Sequence, residues 1–162
     1  MGLSVQKPKY QAFQQDEVAV KKWREQDYSK IVKQAKKLGA DIYFQDEAGI
    51  RSDYHSGTTW AKTGKTPVVK TTGARFSLNM ISAISPRGHL SFMCVEAKVN
   101  SKVFVEFLKR LIYKADRPTF LIVDGHPIHK SGMAKNFVES TNGMLTLFFL
   151  PPYSPQLIQT NL

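Results

Sequence analysis

The chain is expected to fold as an α/β domain with a mixed sheet and helices on its faces. Three observations point there. The run TFLIV at 119–123 is unbroken and apolar, as expected of a central strand buried on both faces. A β-α-β-α-β alternation fills residues 89–150, the order that builds parallel neighbours. Before it, two β-rich runs flank the Pro-Arg-Gly turn at 86–88, which reads as an antiparallel hairpin.

The elements follow in order. Residues 1–14 show no clear period and contain Pro8, and they read as an arm or linker. Asp16 is placed to cap a helix over 17–25. Asp27 or Ser29 is placed to cap a second helix that runs to Leu38 and stops at Gly39. Ile31, Ala35 and Leu38 lie on one face of that helix, while Lys30, Lys33, Lys36 and Lys37 read as its solvated side. Residues 40–46 form a short strand, 77–85 and 89–95 the hairpin. Asn100 or Ser101 opens a helix whose stripe of Val103, Phe104, Phe107, Leu108, Leu111 and Ile112 is core-facing. The strand at 119–124 follows, then a weaker helix over 129–141, then a strand at 144–150 stopped by Pro151 and Pro152. Residues 1–39 thus read as a linker with two short helices, and 40–162 as the sheet domain.

Composition narrows the function. The 162 residues carry 23 Lys and Arg against 13 Asp and Glu, a net charge of +10. The excess sits mainly in residues 1–40 and 98–162. Such a balance favours a polyanionic partner, of which nucleic acid is the commonest. One cysteine, Cys94, excludes an internal disulfide framework and a cysteine-rich zinc site, and in its apolar strand it reads as an inert thiol. No apolar run approaches the ~18 residues of a membrane span. The N-terminus lacks an apolar signal core, so a cytoplasmic location is expected.

Two predicted strands end in an aspartate, Asp46 and Asp124. A lone aspartate after a strand is usually a turn residue. Sites in open α/β sheets form beyond the carboxyl ends of central strands, and two carboxylates brought together there repel. A divalent cation relieves that repulsion; Mg²⁺ takes one or two carboxylates and fills its octahedron with water and phosphate oxygens. A pair of such ions can activate a water or 3′-hydroxyl and stabilise the leaving oxygen of a phosphodiester. Basic flanks would hold the DNA backbone. From the residues alone this is a nuclease or strand-transferase site.

Four stretches sharpen the reading: YFQDEAG at 43–49, TWAKTGKTP at 59–67, LIVDGHPIHK at 121–130 and FLPPYSPQL at 149–157. In this order they resemble the catalytic domain of a DDE transposase of the mariner superfamily, in its bacterial insertion-sequence branch. The resemblance implies an RNase H-like mixed five-stranded sheet with flanking helices. It also implies cutting and joining of transposon DNA with Mg²⁺ or Mn²⁺, and Asp46 and Asp124 as the first two catalytic, metal-binding acids. The implied partners are transposon-end and target DNA and a homodimer or assembly with intact transposase, in a bacterial cytoplasm and nucleoid. In the family the Leu-Pro-Pro-Tyr-Ser-Pro-x-Leu stretch continues as Asn-Pro-x-Glu, and that Glu opens a final helix. Here Asn161 stands at the position of the third acid. The chain therefore reads as truncated at both ends, its final helix missing and its catalysis inactive or weakened. The alternative is a non-catalytic remnant that binds DNA or interferes with assembly. Loss of the helix is expected to bare apolar surface near 145–150.

Further candidates surround the acids. Arg51, Trp60, Lys62, Lys65, Arg75, His126 and Lys130 form a candidate DNA-facing set. Trp60 reads equally as a core anchor. Glu47 would point to the strand face opposite Asp46, in a local salt bridge or turn. His129 reads as a cap or packing residue at its helix start, and Trp23 as the pin between the N-terminal helices and the sheet. Residues 151–155 read as a rigid strand exit.

Overall fold

A computed structural model describes residues 14–52, 60–68, 76–96, 98–154 and 156–159. Five strands form one mixed sheet: β1 (Asp41–Arg51), β2 (Ser77–Ile84), β3 (Leu90–Val95), β4 (Thr119–Val123) and β5 (Leu145–Phe149), in the order β3-β2-β1-β4-β5. The first three pair antiparallel; β1, β4 and β5 run parallel. The hairpin and the central apolar strand stand where the sequence puts them.

β4 explains why the sheet carries helices on both sides. Leu121 and Val123 face a core shared with Ile81, Phe104, Phe107, Leu108 and Ala134, under α3 (Ser101–Leu111) and α4 (Gly132–Ser140). Ile122 faces the other way, onto Trp23, Phe44, Leu150, Leu157 and Ile158, and Phe120 joins Ile31 and Ala35. Asn100 opens α3 by accepting the Lys102 and Val103 amides on Oδ1 at 2.9 and 3.1 Å. Because Leu121 is wholly buried in the central strand, Leu121→Ala is expected to remove about 2–5 kcal/mol, read as a lower urea midpoint.

The N-terminal helices depart from expectation. Asp16 caps α1 (Glu17–Lys22), as its position suggests, accepting Val18 and Ala19 amides at 2.9 and 3.0 Å. No break follows. A π turn at Trp23–Asp27 leads straight into α2 (Tyr28–Leu38), and Asp27 is itself helical with no capping bond. The Tyr28 amide donates to the Trp23 carbonyl, five residues back, so the two rings fall on one side and stack at 5.3 Å. Both lean on Phe44 of β1, which gives the expected pin a definite form. Gly39 ends α2 at φ 66°, the left-handed C-cap that glycine adopts without strain.

Two boundaries are also corrected. β1 does not end at Asp46 but continues to Arg51, because residues 47–51, Gly49 included, find a full antiparallel partner in β2. The helix expected from residue 129 begins at Gly132, since Pro127 sets a tight 3₁₀ turn at Pro127–Lys130 and Ser131 then caps α4.

After the prolines the chain makes one helical turn, α5 (Gln156–Gln159), whose Leu157 and Ile158 are buried beside Leu150. That turn shields much of the surface expected to be bare near 145–150. Bare apolar side chains lie instead on edge strand β3, where Leu90 and Phe92 are each 59% exposed. Cys94 of the same strand is a free thiol and is exposed too. No described helix is long and apolar enough to cross a membrane.

Candidate functional site

The parallel pairing of β1 with β4 sets the site. Its last rung joins Phe44 to Ile122. Two residues further along each chain stand Asp46 and Asp124, so the register places them level at the carboxyl end of the parallel pair. Neighbouring strands lie about 4.8 Å apart. Both aspartates line one cleft of about 490 Å³, with Gly125, His126 and Lys130 at its polar end. Its other wall is Leu150, Pro151, Pro152, Tyr153, Ser154 and Ile158. The aspartates thus stand on the same side of the molecule.

Asp124 is held from beneath. Its Oδ1 lies 2.8 Å from Nδ1 of His129 and accepts the His126 amide at 2.9 Å. His129 is only 2% exposed and packs its ring on Phe104 at 4.5 Å. Its other nitrogen, Nε2, lies 3.4 Å from Glu47 Oε1, an ion-pair contact without hydrogen-bond alignment. Glu47 follows Asp46 by one residue and therefore emerges on the opposite face, where α3 and the 3₁₀ turn lie. Burial pulls the His129 pKa down, but the hydrogen bond to Asp124 and the adjoining Glu47 carboxylate outweigh it and push it up to about 9. The same bond from His129 holds the Asp124 carboxyl below its ordinary range. One buried cation thus ties β1 to the end of β4.

A family model for the DDE superfamily endonuclease matches residues 41–159, the whole sheet and its flanks. The chain belongs to the DDE superfamily endonucleases. Solved structures agree at the level of fold. The Mos1 strand transfer complex superposes with a TM-score of 0.65 at 15% identity, over 99% of this chain and 50% of that one. The pre-cleavage Mos1 transpososome gives 0.63 at 15% identity over 99% and 51%, and the Mos1 mariner paired end complex with Mn gives 0.61 at 16% over 97% and 50%. The chain thus spans about half the length of these proteins. No curated protein sequence matches it. The mixed five-stranded sheet with flanking helices is that of the RNase H-like transposase cores.

In this DDE endonuclease domain the expected site residues separate into two groups. Asp46, Asp124, His126 and Lys130 share the cleft. Lys130 holds its Nζ 5.3 Å over the Phe149 ring, and His126 accepts the Ile128 amide at its Nδ1. Arg51 stands at the far end of β1 on the strip toward β2, five residues beyond Asp46 and outside the cleft lining. Trp60, Lys62 and Lys65 also lie outside it; Trp60 is fully exposed, so its reading as a core anchor is corrected. Arg75 and Asn161 fall outside the described residues.

The donor chemistry suits a hard divalent cation. Asp46 and Asp124 offer carboxylate oxygens at one level, and Asp124 spends only Oδ1 on the two bonds described above. Among the described residues no group of three His, Cys, Asp or Glu side chains is placed to hold a metal, so water and phosphate oxygens would have to complete the shell. Both nitrogens of His129 face carboxylates, which leaves it a support rather than a ligand.

The pairing of Glu47 with His129, and the buried Gln45, escape sequence reading. Glu47 and His129 are 82 positions apart, and no spacing rule joins them. Gln45 is buried, with its amide Nε2 unpartnered, beside a recess of about 120 Å³ lined also by Asp46, Glu47, Asp124, His126 and His129. A glutamine directly after the Ile-Tyr-Phe run of β1 is the one hint, since buried polar groups require partners.

Proposed function

We propose that this DDE domain is the catalytic part of a transposase for metal-dependent DNA cleavage and strand transfer, of the bacterial insertion-sequence branch. The reading rests on Asp46 and Asp124 standing level in one cleft at the carboxyl end of a parallel strand pair, within a DDE family match. Solved Mos1 relatives carry Mn, Mg and a left transposon end, which supports divalent metal and DNA as partners here. Asp46 and Asp124 would hold Mg²⁺ or Mn²⁺. When bound, the ion supplies Lewis-acid activation of a water or 3′-hydroxyl and charge for the leaving oxygen. The chain's own residues orient the site: His129 fixes one oxygen of Asp124, Glu47 fixes His129, and Lys130 brings a positive charge to the phosphate side.

Asn161 stands where the resemblance calls for the third acid, and an amide brings no charge to a second ion. This chain is therefore inactive or severely weakened in the reaction its fold is built for. Manganese binding followed by titration calorimetry, beside nicking of supercoiled plasmid, tests both halves of the reading. Binding that survives Asp124→Ala would remove the site. Robust nicking that vanishes in Asp124→Ala would keep the site and overturn the inactivity.

The net charge of +10 supports a second reading, a DNA-binding remnant that interferes with an intact enzyme. It expects sequence-indifferent binding that weakens steeply between low and physiological salt and survives Asp46→Ala, measured by fluorescence anisotropy.

A further inference from the structure

The cleft beside the aspartates has a second half that the metal reading leaves unused. Its floor and wall are apolar: Leu150, Pro151, Pro152 and Ile158. At its rim stands Tyr153, 58% exposed, with its backbone at φ 56°. Left-handed backbone is uncommon for a bulky side chain and persists only where the surroundings enforce it. Here they do. The Tyr153 carbonyl accepts Gln15 Nε2 at 2.8 Å, Ser154 is buried with its hydroxyl on the Pro152 carbonyl at 3.1 Å, and the Leu157 amide donates to the Ser154 carbonyl at 3.1 Å. The chain thus strains and pins its backbone to present an aromatic ring to solvent, which recovers little burial energy in return.

We propose that Tyr153 and the apolar wall form a nucleobase subsite, where one unpaired base of the DNA stacks on the phenol while its neighbouring phosphate lies at Asp46 and Asp124. This deepens the cleavage reading and rests on it. The chemistry is complementary along the cleft. Lys130, and a divalent cation held by the two carboxylates, would meet the charged backbone at one end, and an aromatic face with aliphatic neighbours would meet a planar base at the other. Stacking of this kind is indifferent to sequence because every base has a π face.

Fluorescence of an oligonucleotide carrying one 2-aminopurine tests the subsite, with the full chain in calcium buffer so that no strand is cut. Wild type and Tyr153→Phe are expected to quench the unpaired probe equally. Tyr153→Ala and Tyr153→Leu are expected to abolish the quench and to bind the single strand about 10- to 100-fold more weakly, with binding to a fully paired duplex unchanged. The Leu variant keeps bulk and apolarity without a π face, and thermal unfolding of each variant reports that the fold is intact. Quenching by Tyr153→Leu at the wild-type level would overturn the proposal, as would no quenching by wild type. The arms also separate the two readings. Manganese binding that ignores Asp124 alongside Tyr153-dependent quenching removes the metal site and keeps the base subsite. Manganese binding that requires Asp124 alongside Tyr153-independent quenching removes the subsite alone.

Discussion

Asp124→Ala is expected to lower manganese affinity by at least about tenfold and to abolish any plasmid nicking that the wild-type chain retains. The expectation follows from charge. With Asp124 present, two carboxylates stand level in one cleft. With it gone, Asp46 alone faces the ion, and Asp46 is an exposed group whose Oδ1 already accepts the Glu47 amide at 2.9 Å. Removal of a single electrostatic contact from a catalytic site commonly lowers the rate by about 10²–10³-fold. Asp124→Asn sharpens the measurement, since it keeps shape and removes charge. It should weaken manganese binding as severely as Ala does. A calorimetric titration in which Asn binds like wild type would show that Asp124 acts through its hydrogen bonds and not through its charge.

His129→Ala is expected to destabilise the fold by about 3 kcal/mol, more than the loss of any single surface ion pair. The substitution leaves a cavity beside Phe104 and strips both Asp124 and Glu47 of their shared cation. His129→Phe refills the cavity without restoring the charge, so it should recover only the packing part. Urea unfolding of the pair divides the two contributions. Loss of manganese binding in His129→Phe, with the fold retained, would identify His129 as a positioning residue for Asp124.

The same pair dictates a pH dependence in metal-free buffer with chelator. The folded His129 pKa is about 9 against an ordinary 6.5, so its stabilisation is complete below about 6.5 and is lost as pH rises through 9. The Asp124 pKa is lowered in the folded state, so its share is present above its ordinary 3.8 and is lost as pH falls further. Thermal stability should therefore peak between these limits and decline on the alkaline side, by about 2 kcal/mol once the exposure of both carboxylates is discounted. His129→Phe should flatten the alkaline decline. A melting temperature that stays level from pH 6 to 10 in the wild-type chain would contradict the assignment.

Periodicity alone located the sheet and its main helices. The five apolar or β-branched side chains of TFLIV at 119–123 alternate between two faces and could leave water only by burial on both, and the stripe from Val103 to Ile112 is an apolar helix face that needs a cover. Asp46 and Asp124 were legible as candidates for a related reason: polar residues at the end of apolar runs stand out. Local rules failed where a longer-range partner outweighed them. Asp27 is a good cap by type, yet Trp23 and Tyr28 gain more by stacking over Phe44, and the helix runs through it. β1 outruns its apolar segment because β2 supplies a ladder as far as Arg51.

The amino-acid order by itself determined the fold class, the two aspartates and the basic character of the surface, since each depends on residue type and near spacing. Only the tertiary structure decided that Asp46 and Asp124 lie level in one cleft, that His129 joins Asp124 to Glu47, and that Tyr153 stands over an apolar wall. Those are meetings of residues distant along the chain, set by strand register and by the exit path after β5. A tight turn fixes the register of a hairpin such as β2–β3, but β1 and β4 are joined by no turn, and their register is settled only when the whole strands pack.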